Sequence, residues 1–347
     1  VAFAELRKFP QDSAAYKQLE ALFLAQKVPQ ARRLGLRKAD SCLNAGNTHG
    51  YMFFMNQTGA YTFFVGMDLK KAFAVFHAVD SVMQGQQDTL SIEFAITQKF
   101  LATTYYYRYN DSKANVHYRR GLRITETLGI TNNSLAADFY VNIGNSYTNM
   151  GLYKQALPYT RKGRQLAKQN GYYHLLMLAN QTYGYIASFR DTQLAFEFYA
   201  HIYAEAERLS RHLAASPEEK ANFMKYMANI DNVVTNLYRA DEDYEKALFH
   251  AKRAYSTFHK ANLPDPYLEI LVTNSIAKLH LLKGQPAQAQ NYVAEALQVV
   301  DKSFGRQDPR ALKVLNVALR YGLQAGHSDT AAHYAKAMQD VKQEQAG

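Results

Sequence analysis

Apolar and small residues recur at three- and four-residue intervals along almost the whole chain, interrupted by short polar turns. That period belongs to amphipathic helices, because positions three and four apart share one helix face. Residues 144–163, GNSYTNMGLYKQALPYTRKG, show the unit clearly. Ile143 and Gly144 sit in a first helix, with Tyr147 one turn on. Gly151 ends that helix, since glycine enters the left-handed region at little cost. Leu152 and Tyr153 open a second helix, and Ala156 is small where the two helices must approach. Tyr159 and Gly163 continue that face at i+3 and i+7.

The same pattern recurs in QKVPQARRLGLRKA, GMDLKKAFAVFHAV, YNDSKANVHYRRGL, RDTQLAFEFYAHIYAEA, ADEDYEKALFHAKRAY, KGQPAQAQNYVAEAL and AGHSDTAAHYAKAM. Its close-contact alanines are Ala31, Ala72, Ala114, Ala156, Ala195, Ala247, Ala289 and Ala331, with successive gaps of 41, 42, 42, 39, 52, 42 and 42. Such regularity predicts a stacked array of about eight helical hairpins, each burying its apolar face against its neighbours. The long gap holds about ten extra residues, roughly Arg211 to Lys220. They read as helix extensions or a protruding loop, with a change of superhelical pitch as the alternative.

Composition agrees. The 347 residues are 48% apolar, with only 18 Gly and 8 Pro, which favours helices over a sandwich or barrel. The net charge of +10 permits an acidic peptide, a nucleic acid or an anionic membrane as partner without choosing among them. Cys42 is the single cysteine, so neither an internal disulfide nor a cysteine metal site is available. No apolar run is long enough to span a membrane. The chain opens at Val1 and closes on VKQEQAG, which reads as a segment of a longer protein or a chain that has lost a leader.

On Tyr140, Ile143, Gly144, Tyr147, Gly151, Tyr153, Ala156, Tyr159 and Gly163 the sequence resembles the tetratricopeptide repeat (TPR) family. The resemblance spans roughly residues 14–340, is strong over 137–170 and 267–300, and is loose before residue 90. It implies an all-α, right-handed α-solenoid over residues 1–347, with a division into 1–210 and 220–347 at the long gap as the alternative. The family repeat is about 34 residues. The longer repeat here adds about one turn to each helix and looks like those of kinesin light chains and bacterial signalling proteins. Residues 304–326 are similar to linkers in such proteins. The family's helix-ending proline is mostly missing, and near Gly184 the register is one residue short.

The resemblance places first helices along a concave groove. It turns inward Lys99, Thr103, Tyr106 and Tyr107, then Asn142, Asn145 and Asn149, then Gln181 and Tyr185. Asn232, Asn236 and Arg239 follow, then Asn274 and Lys278, and last Asn316 and Arg320. A carboxamide both donates and accepts, so a ladder of them suits the main chain of an extended peptide. Lys99, Arg239, Lys278 and Arg320 suit acidic groups or a C-terminal carboxylate. Beside this stands a structural reading, in which each Asn bonds within its own hairpin and the YYYRY run packs with its hydroxyls reaching water. The clusters Arg119/Arg120/Arg123 and Arg161/Lys162/Arg164 fall on second helices and read as solvated faces.

No metalloprotease, P-loop, nucleophile-elbow or dinucleotide pattern occurs, and the 11 histidines are scattered. No cofactor, metal or catalytic residue is expected. The leading expectation is a non-catalytic scaffold that binds a protein or extended peptide, as the sensor or adaptor of a bacterial signalling protein such as a membrane-bound histidine kinase. That context comes from analogy, and with it an extracytoplasmic setting, cytoplasmic being the alternative. Homodimerisation is a further expectation, and membrane association only through flanking segments. A second reading is a peptide-pheromone receptor, whose usual N-terminal domain exceeds residues 1–30. A third is single-stranded RNA binding, motivated by charge and tyrosines, although base-reading helical repeats have a shorter period.

Overall fold

A computed structural model describes residues 13–346 apart from Arg190, 213–215 and Leu263. Among the described residues there are sixteen α-helices, one 3-10 turn (Pro309–Ala311) and no strand. They pair as first and second helices of eight hairpins: α1 (Ser13–Leu24) with α2 (Val28–Asn44), α3 (Thr48–Phe64) with α4 (Leu69–Gly85), α5 (Ile92–Tyr107) with α6 (Asp111–Thr127), and α7 (Ser134–Asn149) with α8 (Tyr153–Gln169). The series continues with α9 (Tyr173–Ser188) and α10 (Thr192–His212), α11 (Pro217–Ala240) and α12 (Tyr244–Ala261), α13 (Pro266–Leu282) and α14 (Pro286–Ser303), and α15 (Leu312–Gln324) and α16 (Ser328–Ala346).

One turn geometry makes most of these hairpins. The first helix ends in a residue of positive φ, and the next backbone N–H reaches back five residues to a carbonyl of the last turn. This bond joins Lys27 to Leu22, Asn110 to Tyr105, Leu152 to Tyr147, Asp243 to Tyr238, Gln285 to His280 and His327 to Gly322, at 2.8–3.0 Å. The left-handed residues are Gln26, Met67, Tyr109, Gly151, Glu242, Gly284 and Gly326, near the 42-residue spacing wherever consecutive hairpins are compared. Asp68, Asn110 and Asp243 then cap the following helix with their side chains.

Small residues set the helix contacts. All eight repeat alanines are at most 2% exposed. A Cβ at Gly144 would lie 2.3 Å from Thr160 Oγ1 and 3.0 Å from the Thr160 backbone nitrogen, so α7 and α8 touch there almost backbone to backbone. The extra residues of the 52-residue gap lengthen helices: α10 has 21 residues and α11 has 24, the latter opened by a reciprocal Ser216–Glu219 capping box. Residues 213–215 between them lie outside the described ones.

The chain divides into two compact units, 1–179 and 180–347, with the division inside α9. Unit 1 has an extended core running from Ala15 to Ile143, with Leu19, Phe23, Phe76, Phe94, Tyr118 and Phe139 nearly or wholly buried, and a smaller one around Val141, Leu166 and Leu175. Unit 2 has several smaller cores, around Phe258 and Val272, around Ile276 and Leu279, and around Val293 and Leu315. Among the described residues no helix is long and apolar enough to cross a membrane.

Candidate functional site

The first helices of unit 2 are tied side by side by carboxamides. Gln181 on α9 and Asn229 on α11 exchange reciprocal amide hydrogen bonds of 3.2 and 3.4 Å. Ser275 on α13 donates to Asn232 Oδ1 on α11 at 2.7 Å. Asn274 Nδ2 donates to the Lys313 carbonyl on α15 at 3.4 Å, while its Oδ1 is buried without a partner. Asn236 Nδ2 donates back to Asn232 O at 2.8 Å, and its Oδ1 faces two guanidinium nitrogens of Arg239, each at 3.4 Å. Asn316, partly exposed, has no hydrogen-bond partner among the described residues. Asn232, Asn274 and Asn316 are spaced by 42, as are Asn236, Lys278 and Arg320, so each trio holds one position of the repeat.

The charges that bear on Lys278 are all positive. Burial, and then the positive charges of Arg239, Arg320 and Lys313, push the Lys278 ammonium below its ordinary range. Neither Lys278 nor Arg320 has an ion-pair partner among the described residues. Tyr185 is exposed and meets Phe189 edge-on at 5.1 Å.

Unit 1 treats its candidates differently. Lys99 is buried against Asp138, Nζ to Oδ2 3.2 Å, so its charge is neutralised inside the fold. Asn142 donates to the Asp138 carbonyl at 2.9 Å and to its carboxylate. Asn149 donates to Asp111 Oδ1 at 2.9 Å, across to the second helix of the preceding hairpin. Asn145 is half-buried with no hydrogen-bond partner among the described residues. Tyr106 packs perpendicular to Tyr107 at 5.4 Å, Tyr107 packs on Phe63, and Thr103 shares a 3.1 Å hydrogen bond with the buried Tyr118 hydroxyl.

Two further polar clusters tie first helices to second helices. In unit 1, Gln98 Nε2 donates to Asp80 at 2.7 Å, His117 Nδ1 lies 2.8 Å from Gln98 Oε1, and Arg120 reaches Asp80 at 3.2 Å. In unit 2, Asp231 is fully buried and accepts from Arg253 through Nε (2.7 Å) and NH2 (2.5 Å), with His250 Nδ1 at 2.9 Å. Arg119, Arg123, Arg161 and Lys162 are exposed on their second helices, whereas Arg120 is half-buried. Among the described residues no group of three or more His, Cys, Asp or Glu is arranged to hold a metal ion.

This arrangement of stacked hairpins recurs in solved structures. NprR in complex with its cognate peptide NprX superposes with a TM-score of 0.59 over 93% of this chain and 86% of that one, at 9% identity. A Rap protein complexed with competence and sporulation factor gives 0.57 over 96% and 98%, at 12% identity. The apo form of the quorum sensor NprR from B. thuringiensis gives 0.50 over 94% and 97%, at 8% identity. The fold is TPR-like. At these identities the likeness is one of architecture. No family model matches the sequence, and no curated protein matches it.

Sequence reasoning missed the residues that answer its candidates: Asn229, Ser275, Lys313 and Asp138. Two of them were within reach. Asn229 and Lys313 each lie one helical turn before a candidate, Asn232 and Asn316, on the same face. Asp138 stands one turn before Asn142 but thirty-nine residues after Lys99, so only the packing of α5 against α7 reveals that pair.

Proposed function

We propose that this chain is a non-catalytic receptor or adaptor that binds an extended peptide or protein segment along the first-helix face of unit 2. The observation that carries the reading is the amide set Asn232, Asn274 and Asn316 at the repeat spacing, with Asn236 one turn on, of which the buried Asn274 Oδ1 and the Asn316 side chain have no hydrogen-bond partner among the described residues. Carboxamides with spare capacity on adjacent helices match the alternating N–H and C=O groups of an extended chain. The NprR and Rap structures, which hold NprX and competence and sporulation factor, support the peptide-pheromone form of this reading. They lend nothing to a membrane-kinase or extracytoplasmic setting.

The test is binding of a fluorescent random-peptide pool to the whole chain. Asn236→Ala with Asn274→Ala is expected to weaken binding about thirtyfold, since each of the two lost hydrogen bonds is worth about 1 kcal/mol. Asn145→Ala, in unit 1, is the companion variant. Equal binding by the Asn236/Asn274 variant and the parent would make these amides purely structural and remove the proposed face.

A further inference from the structure

We infer that unit 1 docks on an anionic membrane surface through the edge formed by its four hairpin turns, with apolar side chains entering the headgroup layer and lysines meeting lipid phosphates. The inference stands apart from the peptide-binding reading and concerns a contact made by the chain itself, not by flanking segments.

Four observations carry it. The first is alignment. The first helices of unit 1 run side by side in one direction: Tyr16 and Phe23 of α1 meet Phe53 and Tyr61 of α3, and Asn56 and Phe63 of α3 meet Thr97 and Tyr107 of α5. Lys99 of α5 reaches Asp138 of α7, and Asn149 at the end of α7 reaches Asp111 at the start of α6. The four turns therefore share one edge. The second is what that edge exposes. Each turn presents a large apolar side chain, Leu24, then Phe64 and Val65, then Tyr109, then Leu152, all 38–77% exposed. Beside each stands an exposed lysine at the start of the second helix: Lys27, then Lys70 and Lys71, then Lys113, then Lys154. A cation there opposes the helix dipole, so helix stability does not account for it. The acidic residues of the edge are Asp68, paired with Lys71, and Asp111, which accepts from Asn149. The third is the opposite edge. Its connections, residues 45–47, 86–91 and 128–133, contain no lysine or arginine, although Leu90 and Leu128 are exposed there. The fourth is the difference between units. Helices α2, α4, α6 and α8 hold 15 Lys and Arg against 4 Asp and Glu, whereas α10, α12, α14 and α16 hold 9 of each. The positive excess is thus concentrated on the helices that these turns begin. Lysines interleaved with aliphatic and aromatic side chains match an interfacial contact, in which apolar groups enter and ammonium groups reach back to phosphate. A nucleic-acid backbone gives Leu24, Val65 and Leu152 nothing to bury against, and protein interfaces are depleted in lysine.

The chain has no tryptophan, so Leu152→Trp on the proposed edge and Thr131→Trp on the opposite one each make a single reporter. The whole chain is sedimented with vesicles of phosphatidylcholine, alone or mixed with phosphatidylglycerol. Binding to the mixed vesicles is expected to exceed binding to phosphatidylcholine alone by about tenfold or more. Lys70→Gln with Lys154→Gln should weaken it about thirtyfold. Leu24→Ser with Leu152→Ser should weaken it about tenfold. These side chains are exposed, so both variants should unfold at the parent's temperature. On mixed vesicles the Leu152→Trp emission should shift to the blue and be quenched by brominated lipid, while that of Thr131→Trp stays in place. Absence of parent binding to mixed vesicles, or undiminished binding by either double variant, overturns the inference. So does a Thr131→Trp shift as large as that of Leu152→Trp. Salt-steep binding of mixed single-stranded RNA without vesicle binding would assign the basic helices to a nucleic-acid backbone and overturn it as well.

Discussion

The α5/α6 and α11/α12 hairpins carry the same polar module in different charge states. From a first-helix residue, Gln98 or Asp231, a stacked tyrosine follows at +7, a lysine over that tyrosine at +15, a histidine at +19 and an arginine at +22. Tyr105 stacks on His117 at 5.3 Å and Tyr238 on His250 at 5.4 Å. Lys113 and Lys246 sit over those tyrosines at 5.5 and 5.4 Å. The modules part at the first-helix residue. Unit 2 places the carboxylate there, as the fully buried Asp231. Unit 1 places a neutral amide there and takes its carboxylate from Asp80 on α4, which also accepts from Gln84. The repeat therefore specifies where a cation and an imidazole stand, while the counter-charge can come from either of two helices. Where it comes from decides how many other donors share it.

That difference predicts unequal penalties. Arg253→Met leaves the Asp231 carboxylate buried with only the His250 ring beside it, and is expected to cost about 3 kcal/mol in urea unfolding. Arg120→Met leaves Asp80 with the amides of Gln84 and Gln98, and should cost about 1 kcal/mol. Equal costs would mean that the shared amides contribute nothing. A smaller effect follows acidification. Burial holds the His117 pKa below its ordinary value of 6.5, against the pull of Asp80 and with the help of Arg120, His77 and Lys113. The unfolded chain thus takes up this proton first, so stability is full above about pH 6.5 and falls as pH drops toward the folded pKa. His117→Gln should flatten that part of the pH profile, and an unchanged slope would assign the acid sensitivity elsewhere. The smallest effect is expected at the lysines over the rings. Lys113→Met and Lys246→Met should leave the unfolding midpoint within error, because both ammonium groups are solvated. A clear loss in one of them would show that the modules differ at their rims as well as their centres.

Periodicity made the fold legible. A short residue every 42 positions is enough to place a helix contact, and all eight alanines read from it are buried. The candidate face was legible only as a list of side chains. Asn232, Asn274 and Asn316 share a register that spacing reveals, but whether an amide is already occupied depends on the neighbouring helix. Spacing within one repeat cannot say that Asn149 reaches Asp111 or that Asn145 has no hydrogen-bond partner among the described residues. Charge was the least legible property. Lys99 and Lys278 look alike in sequence, yet one faces a carboxylate and the other lies among three cations.

The hairpin turn offers one more use. It repeats one backbone geometry, at φ 56–76°, with Gln26, Tyr109 and Glu242 where Gly151, Gly284 and Gly326 stand in other copies. A non-glycine residue is strained there by about 1 kcal/mol. The molecule is thus its own calibration series, a single conformation sampled by four residue types against a common scaffold. Replacing the three non-glycine residues with glycine one at a time would measure what each side chain costs in that conformation. Combining them would yield a thermostabilised version of the protein without touching any residue of the candidate face.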